Sequence, residues 1–106
     1  MELNEYQEAA HKTAVYPLQH SQSYAVLGLT NEAGEVAGVL KKFYRGDYDF
    51  IVCQEKILKE LGDVLWYAAE VATVFGFSLD EVARTNIDKL TARQSAGTLK
   101  GSGDDR

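Results

Sequence analysis

The segment IVCQEKILKELGDVLWYAAEVATVF, residues 51–75, decides the fold. Its apolar residues Ile57, Leu61, Val64, Ala68, Val71 and Phe75 alternate four and three positions apart, and Leu58, Leu65 and Ala72 widen the stripe. This is the period of a core-facing helix and not the two-residue alternation of a strand. At 100° per residue, Lys56, Glu60, Asp63, Tyr67 and Glu70 form a contiguous polar strip alongside the stripe, so the acids border the core. Gly76 supplies a C-terminal stop, and Ser78 with Glu81 reads as a capping box that opens another helix.

Working outward, the pair Glu60-x-x-Asp63 has a counterpart in Glu32-x-x-Glu35. The pairs are mirrored about the turn-like Arg45-Gly46-Asp47-Tyr48-Asp49, so a chain folded there sets Glu32 opposite Asp63 and Glu35 opposite Glu60. The preceding helix is expected over residues 22–44, with Val26, Leu29, Ala33, Val36, Leu40 and Phe43 as its apolar stripe. Gly28, Gly34 and Gly38 lie inside it although each costs about 1 kcal/mol relative to alanine. They imply either close helix approach or room for a ligand beside the glutamates.

A first helix is expected over residues 4–15, opened by Asn4 and Gln7 and ended by Pro17. It carries Glu8-x-x-His11, but a di-iron bundle needs that motif on two helices, so a surface pair is the simpler reading. His20 stands alone in the next loop and reads as a solvated side chain. A fourth helix, residues 79–94, is expected to bury Leu79, Val82, Ala83, Ile87 and Leu90, with Asn86, Lys89 and Arg93 lined up beside them. From Ser95 the composition turns to Gly, Ser, Lys and Asp, the pattern of a flexible tail.

The chain of 106 residues, 45% hydrophobic, suits one all-α domain, a four-helix-bundle-like unit around a central antiparallel hairpin, completed by oligomerisation. A formal net charge of -5 argues against a nucleic-acid partner. A single cysteine, Cys53, excludes an internal disulfide and a thiolate zinc cluster. With no secretory signal and no apolar run of about 18 residues, the expectation is a cytoplasmic protein without membrane association.

Residues three apart on a helix have Cβ atoms about 5–6 Å apart, so two antiparallel helices carrying such pairs can surround a small space with four carboxylates. Their repulsion is relieved by raised pKa values or by bound cations, and oxygen-only ligands favour hard ions such as Mg²⁺ or Mn²⁺. Acidic pairs are common on solvated helix faces; the mirrored register and the cations of the fourth helix point instead to a metal and phosphate site. Tyr67 lies on the acid strip and can bond a ligand, whereas Trp66 reads as core or interface.

Four stretches together resemble the small MazG-like members of the all-α nucleoside triphosphate pyrophosphohydrolases. They are Gly28-Leu29-Thr30-Asn31-Glu32-Ala33-Gly34-Glu35-Val36, Lys59-Glu60-Leu61-Gly62-Asp63-Val64-Leu65-Trp66-Tyr67, Asn86-Ile87-Asp88-Lys89-Leu90-Thr91-Ala92-Arg93 and Gly101-Ser102-Gly103-Asp104-Asp105-Arg106. Asn31 departs from the glycine of the commonest pattern but leaves the acid spacing intact. The resemblance implies Glu32, Glu35, Glu60 and Asp63 as metal ligands and catalytic acids. It implies Lys56, Lys89 and Arg93 as phosphate-binding residues with Asn86 nearby, and the tail through Arg106 as a lid over substrate or an arm to a neighbouring subunit. The implied reaction is Mg²⁺-dependent cleavage between the α and β phosphates of a (deoxy)nucleoside triphosphate, giving the monophosphate and pyrophosphate, in nucleotide-pool control or house-cleaning. Mn²⁺ is a possible substitute, and a homodimer or homotetramer is expected. Two other readings compete: a non-catalytic bundle that binds metal and nucleotide for regulation, and a purely structural helical oligomer.

Overall fold

In a computed structural model describing residues 1–106, the chain is all-α: α1 (Leu3–His11), a 3₁₀ turn (Leu18–His20), α2 (Ser21–Tyr44), α3 (Phe50–Val74) and α4 (Leu79–Ala96). α2 and α3 form the antiparallel hairpin. Its turn is built from local chemistry: Gly46 takes a left-handed φ of 90°, and the Asp49 carboxylate caps α3 by accepting from the Val52 N–H at 2.9 Å. The Tyr48 hydroxyl ties the turn back to α2 by donating to the Val39 carbonyl at 2.6 Å.

The face that α2 presents to α3 differs from the expected stripe. Ala25 and Val39 are buried, whereas Val26 and Leu40 are 44% and 41% exposed. Ala25, Gly28, Glu32, Val36, Val39 and Phe43 share an arc of about 80° on the helical wheel, and Val26, Ala33 and Leu40 fall to its flank. Small residues set this register: a Cβ added at Gly28 would lie 2.0 Å from the Tyr67 ring, so α3 approaches α2 closely at a position with no side chain. Glu32 thereby sits within the helix contact face.

α1 lies on α3 and touches α4, while α4 packs on α1 and α3 and makes no contact with α2. α1 ends four residues earlier than expected, at His11, and its N-cap is Glu2, with the Glu5 carboxylate accepting from the Glu2 N–H. Asn4 and Gln7 are thus free for a longer-range task. Gln7 Oε1 accepts from the Leu79 N–H at 2.8 Å and Asn4 Oδ1 from the Asp80 N–H at 3.1 Å, satisfying two of the unpaired donors that open α4. Gln7 Nε2 also donates to Thr73 Oγ1 and the Phe77 carbonyl. The Ser78 and Glu81 capping box forms as read from the sequence. Of the apolar residues expected to be buried on α4, only Leu79 is; Val82, Ile87 and Leu90 are exposed because α2 does not cover them. No helix is long and apolar enough to cross a membrane.

Candidate functional site

The hairpin brings Glu32 of α2 against Glu60 and Asp63 of α3, one carboxylate oxygen from each lying within 4.8 Å of the others. Glu32 comes from the contact face of its helix, and Glu60 and Asp63 from the polar strip of α3. None of the chain's ion pairs involves these three acids or Glu35. The uncompensated charge registers on Glu32, whose carboxyl is raised above its ordinary range by burial, then by the charges of Asp63, Glu60 and Glu35. A hard divalent cation fits this donor set: all ligand atoms are carboxylate oxygens, and the cation relieves the repulsion among them.

Glu35 stands outside the three-acid group. With Glu60 it lines an adjoining cavity of about 290 Å³, whose other polar walls are Lys42, Lys56, Lys59 and Tyr48. The Lys56 ammonium lies over the Tyr48 ring, 5.3 Å from its centroid. Three lysines thus flank the acids from the hairpin itself. Lys42 and Lys59 were not singled out by sequence reasoning, yet a signal existed: Lys42 lies seven residues after Glu35 on the same flank of α2, and Lys59 precedes Glu60. The three glycines of α2 also separate. Gly28 is a close-approach position, Gly38 lines the lysine cavity, and Gly34 has no atom within 4 Å of an added Cβ.

On the other side of the acids lies an aromatic group. Tyr67, one turn beyond Asp63, meets Trp66 edge-on at 4.9 Å and Tyr24 at 6.4 Å, and Tyr24 stacks on Tyr16 at 5.1 Å. The Tyr67 hydroxyl is raised by burial, then by Tyr24 and the charges of Glu32 and Asp63. Trp66 is half-buried and donates from Nε1 to Thr13 Oγ1 at 2.8 Å. The next acid on the α3 strip, Glu70, is fully buried and differs from the other three. It accepts from the Tyr16 hydroxyl at 2.6 Å, and His11 Nδ1 lies 3.2 Å away. His11 therefore pairs across to α3 and not with Glu8. His20 is exposed among polar neighbours in the 3₁₀ turn, away from the acids.

The cations of α4 are placed elsewhere. The expected wall of Asn86, Lys89 and Arg93 is engaged away from the acids within one chain: α4 packs on α1 and α3 and not on α2. Asn86 and Lys89 line a separate groove with Phe77 and Val82. Lys89 and Arg93 bind the C-terminal tail through Asp104, and Arg106 turns inward to the Thr98 and Leu99 carbonyls.

Residues 19–97 match the family model described as the MazG nucleotide pyrophosphohydrolase domain. That span holds Glu32, Glu35, Glu60, Asp63 and the lysine cavity. The chain is also similar to the Gene 37 protein of Mycobacterium phage L5, 40% identical over 115 residues that cover the whole of both chains. No solved structure matches it significantly.

Proposed function

The chain belongs to the MazG nucleotide pyrophosphohydrolase family, and from that premise we propose that it is a Mg²⁺-dependent nucleoside triphosphate pyrophosphohydrolase, with Mn²⁺ as a substitute. The observation that carries the reading is the convergence of Glu32, Glu60 and Asp63 without a compensating cation, next to a cavity walled by Lys42, Lys56 and Lys59. Glu32, Glu60 and Asp63 would hold the metal, and Glu35 would complete the ligand set from the cavity side. When bound, a divalent ion supplies neutralisation of phosphate charge and activation of water.

The chain's own groups then give the substrate a direction. The three lysines hold the β and γ phosphates and stabilise the pyrophosphate as it leaves. A carboxylate of the cluster takes the proton of the water that attacks the α-phosphorus. The base lies at the opposite end, against Tyr24, Trp66 and Tyr67. This polarity supports cleavage between the α and β phosphates, giving the monophosphate and pyrophosphate, in nucleotide-pool control.

The same reading has the protein act as a homodimer or homotetramer in one cytoplasmic unit of residues 1–106. Only nine residues are buried, and Leu58, Leu61 and Leu65 form an exposed stripe on the side of α3 away from the acids. With Leu40, Phe50 and Ile57, the first two of these line an apolar groove that a second copy would cover. Light scattering should report more than one chain per particle; a monomer at micromolar concentration would contradict this part. The function is tested by a panel of ribo- and deoxynucleoside triphosphates with Mg²⁺ or Mn²⁺, read as pyrophosphate. Metal-dependent release from one or more is expected, and silence across the panel with both metals would sink the proposal.

A further inference from the structure

α4 does not end the ordered chain. Gly97, at a left-handed φ of 73°, turns the backbone, and the Thr98 N–H donates to the Arg93 carbonyl at 2.8 Å, so the tail runs back over the last turns of α4. Arg93 is 6% exposed, unusual for an arginine on an end helix, and what buries it is the tail. Its Nη2 donates to the carbonyls of Gly103 at 3.2 Å and Asp104 at 2.8 Å, and to Asp104 Oδ1 at 3.3 Å. The Lys89 ammonium reaches the same carboxylate oxygen at 3.0 Å. Arg106 folds under this loop and donates to the Thr98, Leu99 and Gly103 carbonyls.

The cradle has more donors than the tail can satisfy. Arg93 Nε and Thr98 Oγ1 are buried with no hydrogen-bond partner, and the Nε and Nη2 edge of a guanidinium is the one that meets an oxyanion with two N–H groups. Asp104 offers a single oxygen to both cations, and the residue is largely exposed, so water competes for it. A phosphate group carries more acceptor oxygens than a carboxylate and more charge, and it can accept from Lys89, Nη2 and Nε of Arg93 together.

We propose that Asp104 is an intramolecular stand-in for phosphate: its carboxylate and the flanking carbonyls occupy Lys89 and Arg93 in the resting chain, and a polyphosphate ligand takes these cations by displacing it. The identification of the displacing anion rests on the nucleotide reading above; the clamp itself rests on the tail geometry. The consequence is a built-in competitor that lowers the affinity of α4 for phosphate until the tail moves.

The test titrates inorganic tripolyphosphate, without metal, into the full chain and into Asp104→Asn, Asp104→Ala and Lys89→Gln/Asp104→Asn variants by calorimetry. Losing the exposed carboxylate that pairs with both cations should tighten binding by about twofold to fivefold in both single variants. Removing Lys89, one of the two cations that Asp104 occupies, should shrink that gain, and Asp105→Asn, which makes no contact with these cations, should behave as wild type. Circular dichroism on each variant confirms the helices. Unchanged or weaker binding on removal of the Asp104 charge overturns the proposal, as does a gain left undiminished by loss of Lys89. Because the assay uses no metal and no turnover, a chain that fails to release pyrophosphate but shows this pattern would contradict only the enzyme reading, and an active enzyme without it only the clamp.

Discussion

Glu70 and Asp63 lie on the same polar strip of α3, two turns apart, and their surroundings differ in almost every respect. Glu70 is fully buried and satisfied by Tyr16 and His11 from the segment that precedes α2. Asp63 is exposed, unpaired, and close to two other carboxylates. The chain provides donors for one acid and withholds them from the other. A carboxylate buried among donors holds the fold together, whereas carboxylates gathered without donors cost folding energy that a bound cation recovers.

Substitutions at the two positions should therefore have opposite signatures. The largest expected effect is at the acid cluster: Asp63→Asn should lower pyrophosphate release at least about a hundredfold. It should also raise the thermal midpoint of the metal-free protein, because like-charge repulsion is relieved. Glu70→Ala should do the reverse, costing about 1–3 kcal/mol in denaturant unfolding by taking the partner from the half-buried Tyr16 hydroxyl. Below its melting range that variant should keep turnover within severalfold of wild type. If Asp63→Asn destabilises and Glu70→Ala abolishes activity in folded protein, the comparison is inverted.

The hairpin that holds both acids depends on one close approach. Gly28→Ala would drive a methyl group into the Tyr67 ring and should destabilise by about 1–3 kcal/mol through overpacking, with a visible change in tyrosine fluorescence. Gly34→Ala, with nothing within 4 Å, should instead stabilise by about 1 kcal/mol through helix propensity. Equal effects at the two positions would show that contact with Tyr67 does not set the register.

The smallest expected effect is in pH dependence. The Glu32 carboxyl is raised in the folded protein, so it binds its proton more tightly there than in the unfolded chain. Without metal, its contribution to stability is fully present below the ordinary glutamate value of 4.5 and is lost as pH rises through the raised folded value. Glu32→Gln should flatten that fall in thermal midpoint. Saturating Mg²⁺ should also offset it in wild type, by about 2.7 kcal/mol at a hundred times the dissociation constant.

Much of this arrangement was legible in the sequence, because it rests on local periodicity. The mirrored spacing about the turn at residues 45–49 put Glu32 opposite Asp63 and Glu35 opposite Glu60, and the hairpin brings those partners together. The four helices follow from apolar period, caps and glycine stops. What was not legible depends on which side of a helix meets its neighbour. Val26 and Leu40 looked like core because they are large, but the approach at Gly28 turns α2 so that Ala25, Glu32 and Val39 face α3. Asn4 and Gln7 looked like a local cap, and their role at Leu79 and Asp80 is a contact some 70 residues away. The α4 cations looked like a wall for the acids because a linear reading cannot tell that α4 misses α2, or that a Gly- and Asp-rich tail returns to bind Lys89 and Arg93.

The most direct test measures pyrophosphate release from the best nucleoside triphosphate by wild type, Asp63→Asn and Glu70→Ala, each with Mg²⁺ and with a chelator. The account predicts metal-dependent pyrophosphate and nucleoside monophosphate from wild type and from folded Glu70→Ala, and none above background from Asp63→Asn. Undiminished release by Asp63→Asn, release that persists in chelator, or orthophosphate as the product in place of pyrophosphate would contradict it.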